Sequence, residues 1–361
     1  MLSFLKIGPQ SKYSEQVRLK YTTDYYLNSC GGADTAAFDE NCPLPFRLAN
    51  AFNMAALEPH EQVLDLGCGR GELVHEAAKL GCRAVGVDYS PDAIQIAQAG
   101  AAGTPWSDRC DFILARTDED PLGNDQFDVI FALDVFEHLH RDELRELLAV
   151  VKRRLKPHGR FVFHTSPNRY YYSVAYRAVY ELSRAAGNSN LPKNSRSSHE
   201  NDMHIGELTR RNVEDLLREA GLAFHTSLFG LERIFHSIEQ SALGPNTSRR
   251  LVSWACEPRL RSYTNSDIAG VGAHDIHALD RGFTLHPGRE ISLDHPFLFH
   301  EGWYVPVAGE TPHRWTSPHF SMKALANEAM RLRLSFLPYP GHTGELTVSL
   351  PGTGHVPGGG V

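Results

Sequence analysis

The sequence predicts an α/β fold: a doubly wound parallel sheet with helices on its faces, followed by a small C-terminal β module. Three observations carry that expectation. From residue 62 onward, short β-rich runs alternate with helical patterns, the signature of strands joined by crossover helices. One of those helical stretches bears a single continuous apolar stripe. Residues 63–71, VLDLGCGRG, run an apolar strand straight into three alternate glycines.

In chain order the pattern reads QVLDL then GELVHEAAKLG, RAVGVD then SPDAIQIAQAG, DFILA, FDVIFAL, then DELRELLAVVKRRLK and GRFVFHT. Leu144, Leu147, Leu148, Val151 and Leu155 fall at i, i+3, i+4, i+7 and i+11, so one helix face covers the sheet. Asp142 fits the start of that helix, and Lys156-Pro157-His158-Gly159 fits its end. SPNRYYYSVAYRAVYELSRAAG then reads as a tyrosine-rich helical insertion, and NSNLPKNSRSSHEND as a mobile loop. Val213, Leu216, Leu217 and Ala220 mark a further helix, LAFHTSLF a strand, and the sheet closes near IAGVGA, residues 268–273.

The expected organisation is an N-terminal cap over 1–60, a ligand-binding domain over 61–275 with a substrate-side insertion at 165–206, and a β-rich module over 276–361. The last piece is rich in proline, histidine and aromatics, with strand-like RLRLSFL and ELTVSL separated by the turn signal PYPGHTG, and it finishes in a flexible PGTGHVPGGGV tail.

At 361 residues and 42% hydrophobic, the chain can fill more than one core. A formal charge of −7 gives no global basic field, so nucleic acid is not an expected partner. Cys30, Cys42, Cys68, Cys82, Cys110 and Cys256 form no CxxC pair, which fits reduced thiols rather than a disulfide framework or zinc ribbon. No apolar run is long enough for a signal peptide or a membrane span, and a cytoplasmic protein is expected. Nothing at this level fixes the oligomeric state.

The glycine turn suggests a ligand. A strand entering glycines and then a helix sets backbone N–H groups and a helix N-terminus around a space that side chains leave open. Dinucleotide sites use GxGxxG, whereas here the glycines are Gly67, Gly69 and Gly71, and the sixth position is Glu72. Asp65, two residues before the first glycine, suits an ammonium group and repels a pyrophosphate. Asp88 closes the next strand, about 20 residues on, where an acid accepts hydrogen bonds from ribose hydroxyls. The implied ligand is a phosphate-free adenosine compound.

VLDLGCGRG, GVDYS and FDVIFALDVFEHL, in this order and spacing, resemble the class I S-adenosylmethionine-dependent methyltransferases over about residues 60–230. The resemblance is to their small-molecule branch, which includes ubiquinone-biosynthesis enzymes. It implies a Rossmann-like seven-stranded sheet and S-adenosyl-L-methionine as cofactor. Gly67, Gly69 and Gly71, with Cys68 between them, back the methionine part; Asp65 assists its ammonium; Asp88 takes the ribose; Tyr89 lies against the adenine; and Asp134 completes the pocket. One departure is Arg116, which stands where the family often places an acid after the third strand; Asp118 can substitute there, and the Thr117 backbone can reach the adenine edge.

For catalysis, His138 after the fourth strand is the first candidate base and His204 the second; packing is the competing role of His138, and a surface position without function is the competing reading of His204. His199 and His204 flank the loop. Asp134 and Glu137 fit either a ligand site or a helix cap. Tyr21, Tyr25 and Tyr26 fit either a lid over a cationic sulfonium or ordinary docking. The scattered histidines of the C-terminal module carry no metal spacing, and no metal is assigned. The expected activity is methyl transfer to a small-molecule or carbohydrate acceptor, with a bias toward glycan or surface-polysaccharide biosynthesis. The bias comes from HEGWYVP and HRWTSP, which resemble accessory modules of such proteins. The alternatives are a quinone-like or phenolic acceptor, and a non-catalytic carbohydrate-binding protein with Trp303 and Trp315 stacking on sugar.

Overall fold

A computed structural model describes residues 19–29, 44–116, 122–275, 299–307 and 313–322. The chain divides into two compact units, Met1–Leu325 and Ala326–Val361, and every described residue belongs to the first.

The first unit contains a seven-stranded sheet: β1 (Gln62–Leu66), β2 (Arg83–Asp88), β3 (Cys110–Leu114), β4 (Phe127–Leu133), β5 (Leu155–Thr165), β6 (Ala223–Phe229) and β7 (Asp267–Ala273). Their order is β3-β2-β1-β4-β5-β7-β6. The pairs from β3 to β5 are parallel, as the βα alternation predicts, whereas β7 is antiparallel to both β5 and β6. The fully parallel sheet expected from the sequence is therefore corrected to a mixed one. Alternating side chains serve opposite faces. Val63, Val129, Phe131 and Val162 belong to one core with helices α1 (Phe46–Ala55) and α2 (Glu72–Lys79). Leu64, Leu66, Ile130, Ala132, Phe161 and Phe163 belong to the other, with α4 (Arg141–Arg154) and α7 (Arg210–Glu219). Between these helices in sequence come α3 (Pro91–Ala101), α5 (Arg177–Ala185) and α6 (Ser198–Met203).

The apolar stripe of α4 is buried as predicted: Leu144, Leu147, Leu148 and Val151 are each at most 1% exposed, and burying such side chains is worth roughly 1.5–3 kcal/mol apiece. The helix starts one residue earlier than Asp142 suggests, with the Glu143 carboxylate accepting from the His140 N–H at 2.9 Å. Its end falls at Arg154, just before Lys156-Pro157-His158-Gly159 as expected; those four residues lie within β5, where the register against β4 slips between Phe127 and Val129 and forms a bulge.

A third apolar cluster lies beside the sheet. The insertion forms a π-helical turn, Tyr171–Tyr176, that runs into α5. Tyr171, Tyr172, Tyr176 and Val179 pack there with Ile234 and Ile238 of α8 (Glu232–Gln240) and with Leu251 and Ala255 of α9 (Pro245–Ala255). A short α10 (Arg261–Thr264) leads into β7. The segment read as a mobile loop contains α6, begun by a capping box between Ser197 and Glu200. Beyond β7, HEGWYVP and HRWTSP fall in β8 (Phe299–Val307) and β9 (His313–Met322), an antiparallel pair. RLRLSFL and ELTVSL lie outside the described residues. No helix among the described residues is long and apolar enough to cross a membrane.

Candidate active site

A cavity of about 810 Å3 opens at the C-terminal ends of β1, β2, β4 and β5, where open α/β sheets hold their ligands. Its first end is built by the glycine turn. Gly67, Gly69 and Gly71 take φ of +77°, +53° and +86°, a region that side chains disfavour. The Gly67 and Cys68 N–H groups both donate to the Val87 carbonyl of β2, at 2.8 and 3.1 Å, and the Gly69 N–H donates to Asp88 Oδ2 at 2.9 Å. The expectation that these amides face a ligand is thereby corrected. The turn is stitched to β2, and what it offers the cavity is bare backbone.

Gly67, Cys68 and Gly69 line the cavity, whereas Gly71 does not. A Cβ on Gly71 would lie 2.8 Å from Phe112 and 3.0 Å from Ala97, so that glycine serves helix packing. Cys68 is a neutral thiol, its pKa pushed well up by burial and then by the Asp88 charge. Asp65 and Asp88 are both buried. Burial, followed by the charges of Glu72 and Asp88, pushes Asp65 up to about 8. Burial also pushes Asp88 up to about 6, against the pull of the Ser90 and Gly69 N–H groups. A buried carboxylate in that state is primed for a cationic partner.

Asp134 ends β4 with φ +54°, a strained position for a residue with a side chain. Its carboxylate is gripped by Arg47 from α1 and by Nδ1 of His164 from β5. On the far side of the ring, Nε2 of His164 faces Asp267 Oδ2 of β7 at 3.9 Å. Burial opposes ionisation of Asp134, His164 and Asp267, but the charges around them win. Asp134 is held well below the usual carboxylate range, and His164 is pushed up to about 10. At the other end of α1, Arg160 bonds the Ala55 and Ala56 carbonyls and meets Glu61 with its two terminal nitrogens at 2.8 Å.

Neither Asp134 nor Glu137 caps a helix. Glu137 is 2% exposed and accepts from the Thr165 hydroxyl at 2.7 Å. Burial and then Asp134 push its pKa up to about 8. His138 sits beside it with Nδ1 3.1 Å from the Met203 carbonyl and 2.8 Å from the Tyr21 hydroxyl. The tautomer that donates Nδ1–H to that carbonyl leaves Nε2 as the basic nitrogen, whereas a proton donated by the Tyr21 hydroxyl to Nδ1 reverses the two roles. The His204 ring stands edge-on to it at 4.9 Å. Ligand-type atoms of Glu137, His138 and His204 lie within 4.8 Å of one another, a donor set suited to a divalent cation.

Tyr21, Tyr25 and Tyr26 all line the cavity. Their segment is tied down by Thr23, whose N–H and hydroxyl donate to Asp92 at 2.6 and 2.8 Å, and by the Ser90 hydroxyl donating to the Tyr21 carbonyl at 3.0 Å. The Tyr21 ring meets Tyr89 edge-on at 5.4 Å.

The second end of the cavity is walled by the insertion, α6 and α8. Arg233 donates to Glu200 Oε1 at 2.7 Å and to the Tyr172 hydroxyl at 3.0 Å, and Tyr172 donates to the same Glu200 oxygen at 2.9 Å. Arg196 stacks on the Tyr172 ring at 3.9 Å and meets Glu207 at 2.6 Å. Among the described residues, each arginine of the wall has a carboxylate partner: Arg47 with Asp134, Arg70 with Glu72, Arg116 with Glu143 and Arg233 with Glu200.

Of the sequence-predicted residues, Asp65, Gly67, Cys68, Gly69, Asp88, Tyr89, Arg116, Asp134, His138 and His204 meet in this one cavity. Thr117 and Asp118 lie outside the described residues, and His199 is in α6. Arg47, His164, Glu200, Arg233 and Asp267 were not anticipated.

Comparison with known proteins finds a family model and relatives that match part of this region. The family described as "Methyltransferase domain" matches residues 63–159. The mitochondrial ubiquinone biosynthesis O-methyltransferase of Schizosaccharomyces pombe is 33% identical over 121 residues, 33% of this chain and 41% of that protein. The cyclopropane-fatty-acyl-phospholipid synthase of Escherichia coli is 38% identical over 110 residues, 30% of this chain and 27% of its own length. The matched stretch thus spans less than half of either relative. Among solved structures, geranyl diphosphate C-methyltransferase from Streptomyces coelicolor aligns with 74% of this chain and 100% of its own, at 13% identity and a TM-score of 0.48.

Proposed function

We propose, from the match of residues 63–159 to a methyltransferase domain and from the geometry of the cavity, that the protein is a class I methyltransferase that uses S-adenosyl-L-methionine to methylate a polar small molecule. The bare Gly67–Gly69 turn beside two buried acids carries this reading, because it fits an adenosyl cation. A Cβ at Gly67 would strike Val135 at 2.6 Å, and the nearest neighbour of one at Gly69 is Tyr26 at 3.7 Å. Asp65 would hold the ammonium, Asp88 the ribose, and the tyrosines of the N-terminal segment would shield the sulfonium.

The cofactor supplies a methyl already activated on sulfur. The chain's own work is to align the acceptor, exclude water and take up its proton. His138 is our candidate for that last role, supported by its place on the cavity wall, the His204 ring edge-on to its own and the Tyr21 hydroxyl at its Nδ1. Raised pKa values at Asp65 and Glu137 limit unshielded negative charge until a cation arrives.

The second end, with its tyrosine rings, hydroxyls, Gln240 and Asp267, favours a hydroxyl-bearing ring. A glycan-type acceptor is the first choice. A phenol is the second, supported by the tyrosine rings that line the cavity and by the relative of ubiquinone biosynthesis. The test is mass spectrometry of products from labelled cofactor and a panel of sugars, sugar nucleotides and phenols. A labelled sugar supports the first choice and a labelled phenol the second. Binding without transfer to any extract component would leave a carbohydrate-binding protein. Transfer should survive EDTA; loss restored by a divalent cation would reassign Glu137, His138 and His204 from proton transfer to metal binding.

A further inference from the structure

We propose that Glu200 sets the acceptor class: by occupying Arg233 it closes the second end of the cavity to phosphorylated and other anionic compounds and leaves it to uncharged, hydroxyl-bearing ones. This deepens the methyltransferase reading and rests on it.

An arginine fork on a pocket wall ordinarily receives a phosphate or carboxylate ligand. Arg233 lines this end of the cavity, but its NH1 is already engaged. Glu200 Oε1 lies 2.7 Å away, and the Tyr172 hydroxyl, at 3.0 Å, bonds that same carboxylate oxygen at 2.9 Å, closing a triangle. The carboxylate cannot easily swing aside. Its other oxygen accepts from the Ser197 N–H at 2.8 Å and so completes the capping box that starts α6. Burial alone would disfavour this charge, yet the bonds and charge of Arg233, with Ser197 and Tyr172, hold Glu200 down at about 2.

The rest of the wall points the same way. Each lining arginine among the described residues has a carboxylate partner, whereas Asp65, Asp88, Glu137 and Asp267 add carboxyl groups beyond those four pairs. A phosphate entering the second end would face Glu200 and Asp267 together, and like charges brought together select against the wrong ligand. Neutral hydroxyls meet no such barrier. They can donate to the Asp267 carboxylate, which already accepts from Ser166 and Ser266 at 2.7 and 2.9 Å.

The decisive comparison uses inorganic pyrophosphate as the probe, titrated by calorimetry into wild-type protein, E200Q and the double variant E200Q/R233M. Gln serves at the third helical position of a capping box as Glu does, so α6 should persist in E200Q, which circular dichroism can check. The expected result is weak binding to wild type, binding to E200Q that is about tenfold tighter or more, and loss of that gain in the double variant. Wild type binding pyrophosphate as tightly as E200Q overturns the proposal, and so does an E200Q protein that gains nothing. The comparison needs no methyl transfer. Failure to bind S-adenosylhomocysteine would sink the functional reading, while the pyrophosphate series still decides the role of Glu200.

Discussion

The Gly69 N–H donates to the Asp88 carboxylate across 2.9 Å, joining the glycine turn after β1 to the end of β2. Asp88 therefore does structural work before any ligand arrives, and its second oxygen accepts from the Ser90 N–H at 2.9 Å. In Asp88→Asn one of the two amide donors would face an NH2 group. Leaving a buried donor unsatisfied costs about 1–3 kcal/mol, so the chemical-denaturation midpoint should fall. Cofactor affinity by calorimetry should fall by about tenfold or more, since a ribose hydroxyl loses a charged acceptor.

Gly71 and Gly69 should separate stability from binding. A Cβ on Gly71 collides with Phe112 and Ala97 away from the cavity, and overpacking of that kind costs about 1–3 kcal/mol. Gly71→Ala should lower the melting temperature while the folded protein keeps its cofactor affinity. Gly69→Ala, with only Tyr26 near its new methyl at 3.7 Å but with the backbone at φ +53°, should lower the melting temperature through backbone strain and, unlike Gly71→Ala, bring a large loss of affinity. Equal effects of the two on binding would contradict the assignment.

Asp65, pushed up to about 8, holds its proton at neutral pH. A cation bound against it favours the carboxylate, so cofactor binding at about pH 7 should release up to about one proton. The measurement is the dependence of calorimetric enthalpy on buffer ionisation heat. The slope should vanish in Asp65→Asn; a flat wild-type slope would show that no cation reaches this acid.

His164 is raised from 6.5 to about 10 in the folded state. A base with a raised pKa stabilises the fold fully below its unfolded value and loses that contribution as pH climbs through the folded one. The urea midpoint should therefore decline between about pH 7 and pH 10 in wild type. The decline should be weaker in His164→Gln, which has no such charge to lose.

The first half of the site was legible because its signals are local. A strand, three alternate glycines and an acid at the next strand end leave little choice of backbone path, and the pattern led to Asp65, Gly69 and Asp88. LDVFEHL likewise delivered Asp134, Glu137 and His138 to the cavity. What the sequence hid are partners made by the fold. Arg47 meets Asp134 from 87 residues away, on a helix with no marker of its own, and His164 reads as one more residue of an apolar strand. Glu200 and Arg233 sit 33 residues apart in segments without shared periodicity. The reversal of β7 was hidden for a similar reason: IAGVGA has the apolar pattern of a buried strand in either direction.

The most direct test is a crystal structure after soaking with S-adenosylhomocysteine. Electron density for the nucleoside is expected beside residues 67–69, its ribose hydroxyls within hydrogen-bonding distance of Asp88 and its amino group near Asp65. Clear protein density with nothing bound there, or a nicotinamide dinucleotide occupying the cavity in its place, would contradict the account.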